Sequence, residues 1–429
     1  MKKKYRIILY TSIFLLCVVA SIILVVKKSN SVYEEESKPK VVKHKSMLSM
    51  NLEQTAGAGD YKTVTQSKWP TEGYKFNAEL SRCENGSTLS WDDTKKAVIV
   101  SGNLSDKCYV YFDIYQPTLA EYIKSQYTGT QGENNIYYHD SDLANGAGDN
   151  SYRYAGANPN NFVCFGSDTS PCPTDNLYRI IGVFGENYHG VTGKQLVKLI
   201  KYDYMTTDEL GTDGDYSQTY KEWGMDSTYK GTYGDGERIG VYYWNYKATG
   251  SATNTWSTSL LNKTNLNTNF INNIGTTWAN KIATVTWKVG GNTFANISDV
   301  VPATTYQNEI VNPVTTNTTD NATTYSAKIG LMYVSDYGFA ASPDAWTLTM
   351  SSYNNTTATN NNWMYMGLYE WTISRYADFS DGAFVVGSDG FVHYGRVGSD
   401  FGVRASFSLE SSVSYVSGSG SMSDPIVIN

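Results

Sequence analysis

The chain of 429 residues has few charged residues, few histidines and few cysteines. Asp, Glu, Lys and Arg make up 17% of it, below the quarter that is usual in globular domains. The formal net charge of -7 and the pI near 5.3 argue against the basic patch that nucleic-acid binding needs, so we expect no nucleic-acid partner. Tyr is abundant instead, at 35 residues, which separates the chain from aromatic-poor disordered proteins.

Histidine is too scattered to predict a metal or catalytic centre. No two of His44, His139, His189 and His393 lie at the spacing of metal ligands, and no His-x-x-x-His occurs. A Gly-x-Ser-x-Gly nucleophile motif is also missing from the sequence. The residues therefore predict no enzyme, no cofactor and no metal.

A long apolar run lies near the N-terminus. Residues 7–26 contain no charge over twenty positions, which at about 1.5 Å per residue spans a hydrocarbon core of roughly 30 Å. A cleaved signal peptide is the alternative, but its apolar region usually covers about 7–15 residues and ends in small residues. We therefore predict a cytoplasmic N-terminus and an uncleaved bilayer anchor over residues 1–28, then a linker over residues 29–66.

One of the five cysteines, Cys17, lies in this apolar run, and the other four form two close pairs, Cys83 with Cys108 and Cys164 with Cys172. Such pairs indicate disulfides and an oxidising exterior, worth about 3.5 and about 2.6 kcal/mol in the loop-entropy model. A metal site at the second pair is the alternative, but no further Cys or His stands nearby to complete it. We expect a single-pass protein of the cell membrane whose C-terminal part is extracellular.

Short apolar runs predict a small disulfide-closed β module over residues 67–114 and a larger domain over residues 115–429. In the larger domain, Thr118 and Glu121 fit a helix capping box. Further predictions, in chain order, are a hairpin from 178–184 and 195–201, a helical tract from 256–282 split at Gly275, a surface excursion over 301–325 and strand character over 329–337.

One loop resembles the start of a calcium site. Oxygen donors cluster around Gly146, but Ser151 stands where the bidentate Glu of a calcium loop belongs. A polar loop is therefore the favoured interpretation of the donor residues Asp140, Asp142, Asn145 and Asp149.

The closing segment contains a hairpin pattern. An Asp389-Gly390 turn separates apolar runs at 382–387 and 391–394, and residues 401–409 would add a strand. Preceded by the Trp-containing run 371–375, this order resembles the C-terminal core of an uncharacterised bacterial extracellular domain family. That family is related to the formylglycine-generating enzyme, a variant of the C-type lectin fold.

The resemblance covers residues 117–413 and includes one departure, because Arg404-Ala405 stands where the family commonly has Arg-Pro. It implies an α+β, C-type-lectin-like domain with large loops, preceded here by the membrane helix and the small all-β module. Arg404 itself is predicted to be a buried structural arginine paired with a carboxylate.

In the fold that the chain resembles, the closing hairpin and its neighbouring loops present recognition residues. Tyr394 and Arg396 have one parity on the strand and should share a face. The resemblance thus implies a ligand-binding face formed by Asp378, Phe379, His393, Tyr394, Arg396, Ser399, Asp400 and Phe401.

The expected function is that of a membrane-anchored bacterial cell-surface protein that binds an extracellular glycan or protein. Two alternatives stay open. One is a metalloenzyme similar to the formylglycine-generating enzyme, with a site that the sequence does not reveal. The other is a structural surface component without a soluble ligand.

Overall fold

The computed structural model describes residues 48–65, 68–71, 73–185, 189, 192–220, 230–231, 239–250, 252–313, 322–354 and 359–429. The predicted membrane anchor and residues 29–47 of the predicted linker lie outside these ranges. In the ranges that are described, no helix is long and apolar enough to cross a bilayer. The chain divides into two units, Met1–Gln116 and Pro117–Asn429, and is mixed α+β, with many strands and few, short helices.

Six strands make up the described part of the first unit: β1 Leu48–Glu53, β2 Tyr61–Val64, β3 Tyr74–Cys83, β4 Thr88–Asp92, β5 Ala97–Ser101 and β6 Cys108–Ile114. Four form a sheet in the order β2-β1-β6-β3, and β4 pairs with β5 in a separate hairpin. Residues 48–64 therefore belong to this sheet instead of to the predicted linker. Alternating Met50 and Leu52 explain why, because both side chains are buried in the core of the unit.

The core of the first unit is small. Four buried residues, Met50, Leu52, Val110 and Phe112, form its centre, and Trp91 packs edge-on against Phe112. The predicted disulfide between Cys83 and Cys108 is confirmed, and it joins β3 to the start of β6 where the two residues are direct partners across the sheet. A core of this size needs such a covalent link to stay folded.

Removing this disulfide should destabilise the first unit. For Cys83→Ala/Cys108→Ala we expect a loss of about 3.5 kcal/mol of unfolding free energy, because the open loop of 25 residues gains entropy in the unfolded chain. Hydrogen exchange followed peptide by peptide over residues 48–116 measures this loss locally. The matched control is Cys164→Ala/Cys172→Ala, which opens a loop of 8 residues in the other unit. Unchanged exchange over residues 48–116 in the first variant would contradict the prediction.

The described strands of the second unit are β7 Ile136–His139, β8 Ser151–Tyr154, β9 Phe162–Cys164, β10 Leu177–Phe184, β11 Leu196–Lys201, β12 Tyr216–Tyr220, β13 Ile239–Tyr243, β14 Val285–Lys288, β15 Gly291–Asn292, β16 Thr324–Ala327, β17 Ile329–Gly330, β18 Glu370–Tyr376, β19 Gly382–Val386, β20 Val392–Arg396, β21 Asp400–Gly402, β22 Ser406–Ser408, β23 Tyr415–Ser417 and β24 Val427–Ile428. One sheet has the order β17-β22-β11-β10-β8-β7, with β9 beside β10. A second has the order β12-β13-β21-β18-β19-β20, with β15 beside β18. The pairs β14–β16 and β23–β24 are separate ribbons.

Its described α-helices are α1 Leu119–Ser125, α2 Thr207–Leu210, α3 Ile271–Asn273, α4 Gly275–Ala279, α5 Phe294–Ile297, α6 Pro302–Tyr306 and α7 Val334–Ala340. Two π-helical segments cover Leu261–Phe270 and Gln307–Val311. Short 3-10 helices cover Glu133–Asn135, Thr174–Asn176, Trp256–Thr258, Pro343–Thr347 and Met350–Ser352. The predicted capping box of Thr118 and Glu121 is confirmed at the start of α1. The predicted break of the helical tract at Gly275 is confirmed too, since this residue has a φ of +76° that favours glycine.

Two predictions for the second unit are wrong in part. The supposed surface excursion over residues 301–325 includes α6, whose Tyr306 is buried, and continues to the buried Glu309 and Ile310. The strand predicted over residues 329–337 stops after β17, and α7 follows. In both places the helix is only five to seven residues long, too short for a helical repeat of apolar residues to stand out in the sequence.

The predicted closing hairpin is confirmed, and β19 and β20 pair antiparallel across the Asp389-Gly390 turn. The single strand predicted over residues 401–409 is divided, however. Its first part, β21, pairs with β13 and β18 in the second sheet, whereas β22 pairs with β11 and β17 in the first. The three buried residues between them, Val403, Arg404 and Ala405, carry the chain from one sheet to the other.

Candidate functional site

The exposed side of β20 presents an aromatic and a cationic side chain. Tyr394 and Arg396 both project from this side, as their parity predicts, while Gly395 between them is buried. Tyr394 is 38% exposed although its ring stacks on that of Tyr376, with ring centroids 4.4 Å apart and planes 14° apart. A strand that pairs on one edge with β19 thus holds both side chains in fixed positions.

Phe379 extends this aromatic surface. Its ring centroid lies 5.9 Å from that of Tyr394, and 51% of the residue is exposed. We call Phe379, Tyr394 and Arg396, with Tyr376 beneath them, the exposed patch. Large apolar groups held in water at fixed positions are typical of binding surfaces.

Two carboxylates border the exposed patch. Arg396 donates a hydrogen bond from Nη1 to Asp381 at 3.0 Å, yet its side chain is 80% exposed, so this surface ion pair adds little stability and leaves the guanidinium accessible. On the other side, Asp378 accepts a hydrogen bond from the Tyr376 hydroxyl. Burial and this hydrogen bond raise the pKa of Tyr376 to about 12.

The other predicted face residues lie elsewhere. His393 and Phe401 are on the opposite side of the sheet, where both rings pack against Tyr369, at 5.7 and 5.2 Å between centroids. Asp400 accepts a hydrogen bond from the Ser217 hydroxyl at 3.0 Å, and the Ser399 amide donates to the Arg396 carbonyl in the turn. The structure thus brings together Asp378, Phe379, Tyr394 and Arg396, and it separates His393 and Phe401 from them.

His393 is a half-buried packing residue in this arrangement. Its ring stacks on Phe391 with centroids 4.4 Å apart. Burial lowers the pKa of His393, so the imidazole is neutral at physiological pH. Within the part of the chain that is described, its Nε2 has no hydrogen-bond partner.

No protein-family model, curated protein or solved structure matches this chain. The site is therefore defined by its own contacts, of which the stacked pair of Tyr376 and Tyr394 is the most regular. In the sequence, the alternation of side chains along β20 and the hairpin turn before it indicated this site. The contribution of Tyr376 had no such signal, because this tyrosine ends β18, 18 residues before Tyr394.

A second polar constellation lies inside the unit and was missed by sequence reasoning. Arg153 on β8 donates from Nη2 to Asp149 at 2.7 Å, and its Nη1 lies 3.9 Å from Asp336 at the start of α7. Lys198 on β11 donates to the same Asp336 carboxylate. All four side chains are at most 5% exposed. Lys198, which stands between the apolar residues Val197 and Leu199 of β11, was the one available sign of buried charge.

Glu309 completes this buried charge cluster. Its carboxylate accepts hydrogen bonds from the Val334 and Ser335 amides, each at 3.0 Å, and from the Ser374 hydroxyl. Burial raises the pKa of Glu309 to about 7 even though these amides oppose the shift. Burial acts to raise the pKa of Asp149, but the nearby Arg153 charge and His189 hold this pKa well below its usual range. The cluster therefore links β8, β11 and α7 by charge instead of by apolar packing.

The loop that resembles a calcium site is organised by its own hydrogen bonds. Asp140 accepts from the amides of Asp142 and Leu143, both at 3.0 Å, and Asp149 is turned inward to Arg153 and His189. Asp149 is therefore unavailable to a cation beside Asp140. Across the described ranges, no three His, Cys, Asp or Glu residues are grouped so that they could hold a metal ion.

The predicted disulfide between Cys164 and Cys172 is confirmed.

Proposed function

We propose that the chain is a membrane-anchored bacterial cell-surface protein whose second unit binds an extracellular glycan or protein through the exposed patch. The observation that carries this proposal is the fixed, solvent-facing stack of Tyr394 on Tyr376, with Phe379 and Arg396 beside it. Tyrosine and arginine supply large contact areas together with hydrogen-bond donors, and they dominate the energetics of many interfaces.

A surface location is supported by the two disulfides, because such bonds persist in oxidising compartments. The uncharged run over residues 7–26 supports the bilayer anchor. The mixed α+β content and the closing hairpin are compatible with a C-type-lectin-like second unit, which we propose as its fold. In such a unit, the rigid sheet holds the patch and the surrounding loops vary the surface around it.

The structure offers a direct test of the exposed patch. The full-length chain in detergent is screened against glycan arrays and against bacterial and host cell surfaces, beside Tyr394→Ala/Arg396→Ala. We expect the double variant to lose about 2 kcal/mol or more of binding free energy, which is roughly thirtyfold in Kd. Both side chains are exposed, so melting of the variant should stay close to that of the wild type.

The matched control is Tyr246→Ala. Tyr246 is 47% exposed and stacks on Tyr243, so it imitates Tyr394 at a place outside the exposed patch. Equal loss of binding in this control, or full binding by Tyr394→Ala/Arg396→Ala, would contradict the proposal. No binding by the wild type would favour a structural surface component, and metal bound to the purified chain would favour an enzyme.

A further inference from the structure

A cleft of about 610 Å³ opens in the second unit, away from the exposed patch. This volume falls in the range of small-molecule sites, roughly 300–1,000 Å³. One wall comes from the segment before β9 and from β10, and the other from the residues that precede β18. The described lining residues are Ala157, Asn158, Pro159, Asn160, Phe162, Arg179, Tyr202, Lys230, Asn360, Asn362, Trp363, Met366 and Met422, none of them acidic.

Arg179 is the buried cation of this cleft. It is 6% exposed, and its guanidinium lies between two aromatic rings, 4.3 Å from the centroid of Phe162 and 4.7 Å from that of Trp363. Nε donates to the Asn161 side-chain oxygen at 2.7 Å and Nη2 to the Pro159 carbonyl at 3.0 Å. Both partners are neutral. The two rings and the two hydrogen bonds fix the plane of the guanidinium before any ligand arrives.

The charge of Arg179 has no carboxylate partner in the described part of the chain. Two other buried arginines differ in this respect, because Arg153 pairs with Asp149 and Arg404 pairs with Glu370. Burial lowers the pKa of Arg179 to about 9, which still leaves it protonated at neutral pH. A buried, uncompensated charge is costly unless a ligand supplies the opposite charge.

A second cation and several amides complete the lining. The Lys230 ammonium donates to the Thr359 carbonyl at 2.8 Å and lies 4.7 Å from the Tyr365 ring centroid, again without a carboxylate in the described ranges. The exposed side-chain amides of Asn158, Asn160 and Asn360 make no hydrogen bond to the described residues, so they are available to hydroxyl groups.

We propose that this cleft binds a carboxylate-bearing saccharide, with the carboxylate on Arg179 and the ring hydroxyls on the asparagine amides. A guanidinium fork matches a carboxylate in geometry, and amides both donate to and accept from hydroxyls. The volume exceeds what a lone small anion needs, and Tyr202, Met366 and Met422 offer apolar surface to a sugar ring. This site does not depend on the exposed patch or on its ligand.

The test uses the full-length chain in detergent and isothermal titration with three acidic oligosaccharides: trigalacturonate, trimannuronate and a hyaluronan tetrasaccharide. The methyl ester of the one that binds is the matched neutral ligand, and inorganic phosphate is the small-anion arm. We expect at least one acidic saccharide to bind, and its ester to bind at least tenfold more weakly. Binding should persist in saturating phosphate.

Two variants locate the site. Arg179→Lys keeps the positive charge but loses the planar fork, and it should raise Kd at least tenfold while circular dichroism and melting show that the fold is kept. Lys230→Ala should raise Kd severalfold, and Arg82→Ala, an exposed arginine of the first unit that belongs neither to the cleft nor to the exposed patch, should leave Kd unchanged. The proposal fails if none of the three saccharides binds, or if the methyl ester binds as tightly as the acid. It also fails if saturating phosphate abolishes binding of the saccharide, or if a folded Arg179→Lys binds the saccharide like the wild type.

Discussion

Replacing Arg404 by Met is expected to lower the free energy of unfolding by about 3–5 kcal/mol, the usual cost of breaking a buried ion pair. Arg404 donates from Nε and Nη2 to the two carboxylate oxygens of Glu370, at 2.8 and 2.9 Å, and both side chains are at most 2% exposed. Met has a similar length, so the loss comes from a carboxylate left buried without its partner and not from a large cavity. Urea unfolding followed by circular dichroism measures the loss.

The pH dependence of this loss separates charge from packing. Burial already raises the pKa of Glu370, and Arg404 opposes that rise. Without Arg404, the folded-state pKa of Glu370 should rise further above its value in the unfolded chain. Stability from a raised pKa is present at low pH and is lost as pH increases through the folded pKa. The deficit of Arg404→Met should therefore be larger at pH 7 than at pH 5.

Arg404→Met/Glu370→Met is the control, since replacing both partners by apolar groups removes the unpaired charge. Most of the stability should return, although the Met364 carbonyl still loses its 2.6 Å hydrogen bond from Arg404, which costs about 1–3 kcal/mol. A double variant as unstable as the single one, or a deficit that does not change with pH, would show that Arg404 acts through packing alone.

The position of Arg404 explains this dependence on one side chain. It lies between β21 and β22, where the chain leaves one sheet for the other, and Glu370 begins β18 in the second sheet. The ion pair therefore fixes the crossing point to the start of β18. The sequence predicted a buried arginine paired with a carboxylate, and this is confirmed. The identity of the carboxylate could not be predicted, because Glu370 is 34 residues away in the chain.

Local patterns account for most of what the sequence predicted correctly. The Asp389-Gly390 turn, the capping box at Thr118 and the break at Gly275 each depend on a few adjacent residues whose backbone geometry is restricted. Close cysteine pairs likewise limit each disulfide to a short loop. In the first unit, the alternation of Leu48, Met50 and Leu52 was an equally local signal for β1, but neighbouring Lys and Glu residues suggested a linker.

Features that depend on distant residues could not be predicted. Asp149, Arg153, Lys198, Glu309 and Asp336 form one cluster only because β8, β11, α7 and the segment Gln307–Val311 meet there. Apart from the neighbours Asp149 and Arg153, no spacing in the sequence relates them. The ligand-binding face shows the same limit. Strand parity placed Tyr394 and Arg396 on one side, whereas His393 and Phe401 were assigned to that face by resemblance and lie on the opposite one.

The largest pH effect is expected from His139. This residue is fully buried at the end of β7, with its ring 4.9 Å from the Phe339 centroid and 5.2 Å from that of Trp346. Its Nδ1 accepts a hydrogen bond from the Ala147 amide at 3.0 Å. Protonation of Nδ1 would break this hydrogen bond, because the Nδ1–H and the Ala147 N–H would then both be donors. Burial, and after it the Arg153 charge, lower the pKa of His139 to about 3, with Asp149 opposing.

A lowered folded-state pKa gives stability that is present above the unfolded value of 6.5 and is lost as pH falls toward 3. At about 1.36 kcal/mol for each pH unit, this interval corresponds to about 5 kcal/mol. Glu309 acts in the other direction, because its pKa is raised from 4.5 to about 7 and its contribution is lost as pH rises over that range. The two effects offset each other between about pH 4.5 and 6.5, so the wild-type profile alone does not reveal His139.

His139→Asn isolates the effect. The asparagine oxygen can take the place of Nδ1 as acceptor, and the smaller side chain adds a packing cost that does not vary with pH. Urea unfolding of both proteins from pH 3 to 7 should give a stability difference, wild type minus variant, that rises by about 5 kcal/mol as pH increases from 3 to 6.5 and is constant above. Glu309→Gln is the companion variant, and the corresponding difference should fall by about 3 kcal/mol between pH 4.5 and 7. A wild-type minus His139→Asn difference that stays level across the whole range would mean that His139 is solvated or paired in the folded protein, and the buried charge cluster beside it would then have to account for acid unfolding alone.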